Sequence, residues 1–212
     1  MQQKVTVNTH YTRSVNLERD SSSFDVVKAY IPTSRALRTF NRVTTALHSE
    51  QAPRAWSLVG PYGSGKSSFA VFLAQLLSRG SHKATKAASA ILNNADADLA
   101  EAFSKQVEAN DGYLKILITG APEPMAKRLV KGLFDAANDY WTQSKYRRPK
   151  IVSKLATAID AEELTSTDIL ALIKELQDKL EPTGCKGVLL IIDELGKFLE
   201  FEARHYGAND IY

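Results

Sequence analysis

Cysteine is almost missing from this chain: Cys185 stands alone, so no intrachain disulfide framework exists. Its place just before an apolar run reads as a small residue in a turn, without a redox role. Long hydrophobic stretches are missing too; nothing in the 212 residues reads as a bilayer-spanning helix. Met1, Gln2, Gln3 and Lys4 do not begin a signal peptide. Histidines 10, 48, 82 and 205 are scattered, which leaves a zinc site and a Ser-His-Asp triad without support. Excess charge of one sign is absent, and a net +3 argues neither for nor against nucleic acid. There is no internal repeat and no low-complexity tract. A cytoplasmic setting fits these absences. With 44% hydrophobic residues, the chain has enough for a full core in one domain, or one domain with an appendage.

What is present begins with glycine. Gly60, Pro61, Tyr62, Gly63, Ser64, Gly65, Lys66 and Ser67 match G-x-x-x-x-G-K-[ST], a phosphate-binding loop. Glycines at 60, 63 and 65 let the backbone approach phosphates without a Cβ in the way. The N–H groups then form an anion-binding nest at the positive end of the next helix, with Ser68 following. Lys66 is expected to reach the β- and γ-phosphates, and the Ser67 hydroxyl to hold Mg²⁺. Residues 55–59 read as a short buried strand leading in. Apolar positions 69, 72, 73, 76 and 77 predict a helix leading out, stopped by Arg79 and Gly80.

A second segment supplies carboxylates. Val188, Leu189, Leu190, Ile191 and Ile192 form an unbroken aliphatic run, as in a parallel strand buried on both faces. Asp193 ends it, where ligands bind in open α/β sheets and where it would hold Mg²⁺ beside Ser67. Glu194 is placed to polarise an attacking water. Read alone, the pair also suits an acidic helix start.

Together these segments resemble the Walker A and Walker B pair of P-loop ATPases with a catalytic glutamate, a group including AAA+, STAND, ABC and RecA-like families. The resemblance implies ATP and Mg²⁺ as cofactors and hydrolysis of ATP to ADP and phosphate. It also implies an α/β, three-layer P-loop fold with a mostly parallel central sheet. Two further strings, 193–200 and 12–20, resemble segments of large bacterial ATPases of antiviral-defence and DNA-restriction systems. The expected organisation is an N-terminal arm over 1–32 and a P-loop ATPase domain over 33–212.

Along the chain, a helix is predicted from Pro32 to about Glu50, with Leu37, Phe40, Val43 and Leu47 on one face and Arg35, Arg38 and Arg42 on another. Residues 82–110 suggest one or two exposed helices, and 113–119 a second strand. Helices follow over about 125–141 and 167–180, the last capped by Thr165 or Ser166, with a helix or pair of helices over about 150–163. Thr119 ends the strand before the aspartate strand. By analogy with AAA+ proteins it is a candidate switch holding Glu194 away from water, or else a plain strand-ending threonine. Lys145, Tyr146, Arg147, Arg148 and Lys150, with Lys127, Arg128 and Lys131, are either a track for phosphates or a solvated surface.

The resemblance implies a further strand, a polar sensor and an arginine finger after Asp193, and 195–212 leaves no room for them. The sheet is therefore expected to be incomplete at the C-terminus, with this chain the N-terminal piece of a larger module. The leading expectation is an ATPase that drives conformational change in an oligomer or multi-protein complex, with DNA as a possible substrate. A nucleotide-gated STAND-like switch is the alternative. A small-molecule kinase is a third class, disfavoured because Glu194 would waste ATP on water.

Overall fold

The computed structural model describes residues 14–49, 51–78, 82–107 and 112–205. The calls at Arg79, Gly80 and Glu50, and the string 4–13 read as an arm, lie outside the described residues. Five helices come first: α1 (Phe24–Lys28), α2 (Ser34–Leu47), α3 (Lys66–Leu76), α4 (Lys83–Ala95) and α5 (Ala97–Val107). Strand β1 (Leu114–Thr119) precedes α6 (Met125–Gln143), α7 (Lys150–Ile159) and α8 (Ser166–Leu180). Strand β2 (Val188–Asp193) and α9 (Gly196–His205) complete the order. The chain is α/β, and β1 and β2 pair in parallel with Leu114 opposite Val188 and Thr119 opposite Asp193.

Strand periodicity distributes the core over two faces of this sheet. Leu114, Ile116 and Ile118 point into a cluster with α6, α7 and α8, joined by Phe198 of α9. Leu117, Leu189 and Ile191 pack on the opposite cluster, built by α1 to α5 around Phe40, Phe69, Phe72 and Phe103. Phe40 stacks on Phe69 with centroids 4.5 Å apart, and Tyr30 on Phe72 at 4.3 Å. Leu17 and Val27 belong to this second cluster, so residues of the N-terminal segment share the core of α2 and α3.

Local signals explain the helix starts. Ser23, Thr33 and Thr165 accept from backbone N–H groups at the first turns of α1, α2 and α8. At α8 Asp168 answers back to the Thr165 N–H, completing a capping box. Arg35, Arg38 and Arg42 line the exposed side of α2.

Three expectations need correction. Residues 55–59 are not a buried strand: they have no regular structure, Trp56 is 45% exposed and Val59 93%. A strand is stabilised by its neighbour's ladder, and no described segment pairs with this one. Residues 188–192 are not sealed on both faces: Leu190 is 38% exposed, and among the described residues β2 pairs only with β1. The Leu114 N–H bonds Gly187 O and the Gly120 N–H bonds Asp193 O. In a parallel ladder the backbone groups of Val188, Leu190 and Ile192 then face the open edge. Third, α4 and α5 are not mainly solvent helices. Ala84, Ala88, Leu92, Leu99, Ala100 and Phe103 are buried, because alanine lets two helices approach closely.

The two tryptophans report on the first correction. Trp141 is 4% exposed and Trp56 45%. Iodide is expected to quench roughly half the emission, and Trp56→Phe to leave a spectrum that iodide barely changes. Equal quenching of the parent and the variant would mean that 55–59 is covered.

Candidate functional site

The loop takes the shape its glycines allow. Gly63 and Gly65 have φ of +76° and +82°, the left-handed region, where a side chain is strained. Gly65 is the N-cap of α3, so the free N–H groups of that helix open toward the loop. Gly60 through Gly65 are exposed, and Tyr62 is 93% exposed. The Ser64 N–H bonds Pro61 O at 3.3 Å. Lys66 folds back along the loop, its ammonium donating to Gly60 O and Pro61 O at 3.0 Å each. A cation is thus held at the centre of an open ring of backbone.

Asp193 meets this loop. The Ser67 hydroxyl donates to Asp193 Oδ2 at 2.5 Å across 126 residues of sequence. The other carboxylate oxygen, Oδ1, accepts the Glu194 N–H at 2.9 Å. Helix α3 carries Ser67 and β2 delivers Asp193 at its C-terminal end, as the topology of open parallel sheets requires.

Glu194 sits in a constrained backbone with φ +53°, the one non-glycine residue with positive φ among the described residues. Its carboxylate pairs with Lys197 at 2.6 Å, and this contact raises the lysine pKa. The Glu194 side chain is bonded to Lys197 rather than to Thr119, the candidate switch residue. The buried Thr119 Oγ1 makes no well-formed hydrogen bond.

Gly120 explains how the strand ends fit together. An added Cβ there would lie 2.1 Å from Glu194 O and 3.3 Å from Asp193 O. Only glycine lets the two chains approach this closely. Glu18 closes the other side of β1: its Oε1 accepts the Thr119 N–H at 2.5 Å, and its Oε2 pairs with Arg128. Burial alone would raise the Glu18 pKa, but Arg128, the Thr119 N–H and the Thr119 hydroxyl outweigh it and hold the carboxyl below its ordinary value. Arg128 also lies 3.5 Å from Glu123.

This pairing removes Arg128 from the expected phosphate track, and Lys131 is likewise paired, to Asp135 at 2.8 Å. Among the described residues, Lys127, Lys145, Arg147, Arg148 and Lys150 have no carboxylate partner. Glu18, Gly120 and Lys197 are site-proximal residues to which sequence reasoning gave no role, and Arg128 was read only as part of a phosphate track. Gly120 alone carried a local signal, a glycine directly after a strand.

A magnesium–nucleotide fits the donor set. The Ser67 hydroxyl and Asp193 carboxylate offer two hard oxygens, and the N-terminus of α3 and the Lys66 ammonium, bonded to loop carbonyls, belong to the same loop. Mg²⁺ is commonly held by one or two carboxylates, water and substrate phosphates rather than a protein cage. Among the described residues no cluster of three or more His, Cys, Asp or Glu side chains forms. No described helix is long and apolar enough to cross a membrane. No protein-family model, curated protein or solved structure matches the chain.

Proposed function

We propose that this chain binds ATP with Mg²⁺ through residues 60–68 and Asp193, and hydrolyses it with Glu194 as the base. The observation that carries this reading is the Ser67–Asp193 contact, which joins the two separated motifs at one point. When bound, the metal would polarise the γ-phosphate. Lys66 would exchange its two loop carbonyls for phosphate oxygens, and the α3 N-terminus would neutralise their charge. Ser67 and Asp193 would hold the cation. Glu194 must leave Lys197 to reach water, a rearrangement that an exposed ion pair permits because it is worth only about 0–1 kcal/mol.

In this reading the chain has a three-layer P-loop ATPase fold, akin to the AAA+ and STAND groups, and acts in the cytoplasm within an oligomer or multi-protein complex. The cations of 145–150, without a carboxylate partner among the described residues, suit a nucleic-acid substrate, in line with the DNA-restriction and antiviral-defence resemblance. A second reading, a nucleotide-gated switch with little turnover, is favoured by one observation: Glu194 is tied to Lys197 in a left-handed backbone.

Phosphate release from ATP separates them. With a general base contributing about 10²–10⁴-fold, Glu194→Gln is expected to slow turnover by at least a hundredfold. A variant as fast as the parent would remove Glu194 from catalysis and leave the switch.

A further inference from the structure

Helix α9 has a charged stripe with an aromatic side chain set in it. Lys197, Glu200, Phe201 and Arg204 recur at three- and four-residue spacing, so they share one face. With Pro122 and His205 they line a groove of about 370 Å³, where α9 meets the segment after β1. The rings of Phe201 and His205 stack with centroids 4.1 Å apart.

Most carboxylates around the groove are engaged elsewhere. Glu202 accepts the Met125 N–H at 3.0 Å, which braces α9 on the first turn of α6. Glu123 pairs with Arg128 at 3.5 Å. Glu200 is the carboxylate in the lining, 4.0 Å from Arg204, and both side chains are well exposed. Two cations beside stacked rings suit a phosphate-bearing strand, whose bases stack while its phosphates meet the charges. A carboxylate ligand would leave the rings unused. The basic residues 145–150 are a separate feature, since they follow the far end of α6, about 28 Å away along its 19 residues.

Lys197 belongs to the groove and to the candidate site at once. Its ammonium donates to Glu194 Oε2 at 2.6 Å, at the residue whose φ is +53°. An exposed pair of this kind is worth about 0–1 kcal/mol, so a second anion can compete for the lysine. Resting on the ATP reading above, we propose that the groove binds single-stranded nucleic acid and that a phosphate there draws Lys197 off Glu194, which speeds hydrolysis. Lys197 is then a positioning residue: it holds the base aside until a strand arrives.

The test reads the anisotropy of a labelled oligothymidine without ATP, and steady-state phosphate release with and without the oligonucleotide. The parent is expected to bind it and to gain about two- to fivefold in kcat at constant KM, the range an exposed ion pair allows. Lys197→Met is expected to reach that rate unaided and to gain nothing more. Lys197→Arg, which can still pair with Glu194, should keep the parent's slow rate and its response. Phe201→Ala is expected to weaken oligonucleotide binding about fivefold or more, as loss of one stacked base does. Arg204→Ala should lower the slope of log affinity against log salt by about 0.7, one phosphate contact. Both should retain the parent's rate without oligonucleotide.

A Lys197→Met protein with the parent's unaided rate overturns the latch. Unchanged binding in both Phe201→Ala and Arg204→Ala places nucleic acid elsewhere, and equal stimulation by polyglutamate makes the groove a carboxylate site; either overturns the proposal. A parent that hydrolyses ATP but ignores the oligonucleotide overturns it too, with the ATP reading intact. A parent that releases no phosphate under either condition removes both.

Discussion

Alanine at position 120 is expected to lower the melting temperature by about 6–12 °C, the consequence of roughly 3 kcal/mol of overpacking in a chain of this size. The cause is backbone against backbone. The new methyl would sit 2.1 Å from the Glu194 carbonyl oxygen, and no rotamer change can relieve that contact. Either β1 and β2 separate at their C-terminal ends or the Glu194 peptide turns over, and both displace Asp193 from Ser67. Metal-linked nucleotide affinity should fall along with stability. Gly132 provides the control. A Cβ there meets side-chain carbons of Ile116 and Ile118 at 3.2 Å, which can shift, and Gly132 lies inside α6. Alanine's helix preference of about 1 kcal/mol offsets the crowding, so Gly132→Ala is expected to melt within a few degrees of the parent. Equal melting of both variants and the parent would mean that β1 and β2 are not in close contact at Gly120.

Lys66→Met should abolish the rise in melting temperature produced by ATP and Mg²⁺ while leaving the ligand-free protein nearly unchanged. The ammonium bonds two loop carbonyls at the surface, so its loss costs the empty fold little. Toward phosphate, each charge-assisted hydrogen bond is worth about 1.5–3 kcal/mol, and losing two weakens binding by at least a hundredfold. A ligand at a hundred times its dissociation constant stabilises by about 2.7 kcal/mol, and that increment is what the variant lacks. A Lys66→Met protein stabilised as much as the parent would place the nucleotide elsewhere.

The candidate site was legible in proportion to how local its determinants are. The glycine loop is one short string whose spacing encodes backbone shape, and the run ending in Asp193 is another. Their meeting could be expected from the pair, since strand order in open sheets brings loop and strand end together. Helices α6 and α8 announced themselves through apolar spacing. The run 55–59 misled because apolar composition suits a strand, yet a strand exists only where a second one supplies its ladder. Alanine-rich α4 and α5 read as solvent helices because small side chains carry little hydropathy, although they pack closely. Glu18 and Arg128 were illegible for a different reason. Each is an ordinary charged residue until the fold brings them together, and no short window contains both.

The distance in sequence between Ser67 and Asp193 has a consequence for how the protein is made. A ribosome adding about 5–20 residues per second needs roughly 6–25 s to travel the 126 positions between them. During that interval the aromatic cluster of α1 to α5 can condense beside residues 60–65 while Asp193 is still unsynthesised. In the ATP reading, the glycine loop and Lys66 would then stand without their acidic counterpart, open to other anions until β2 is made.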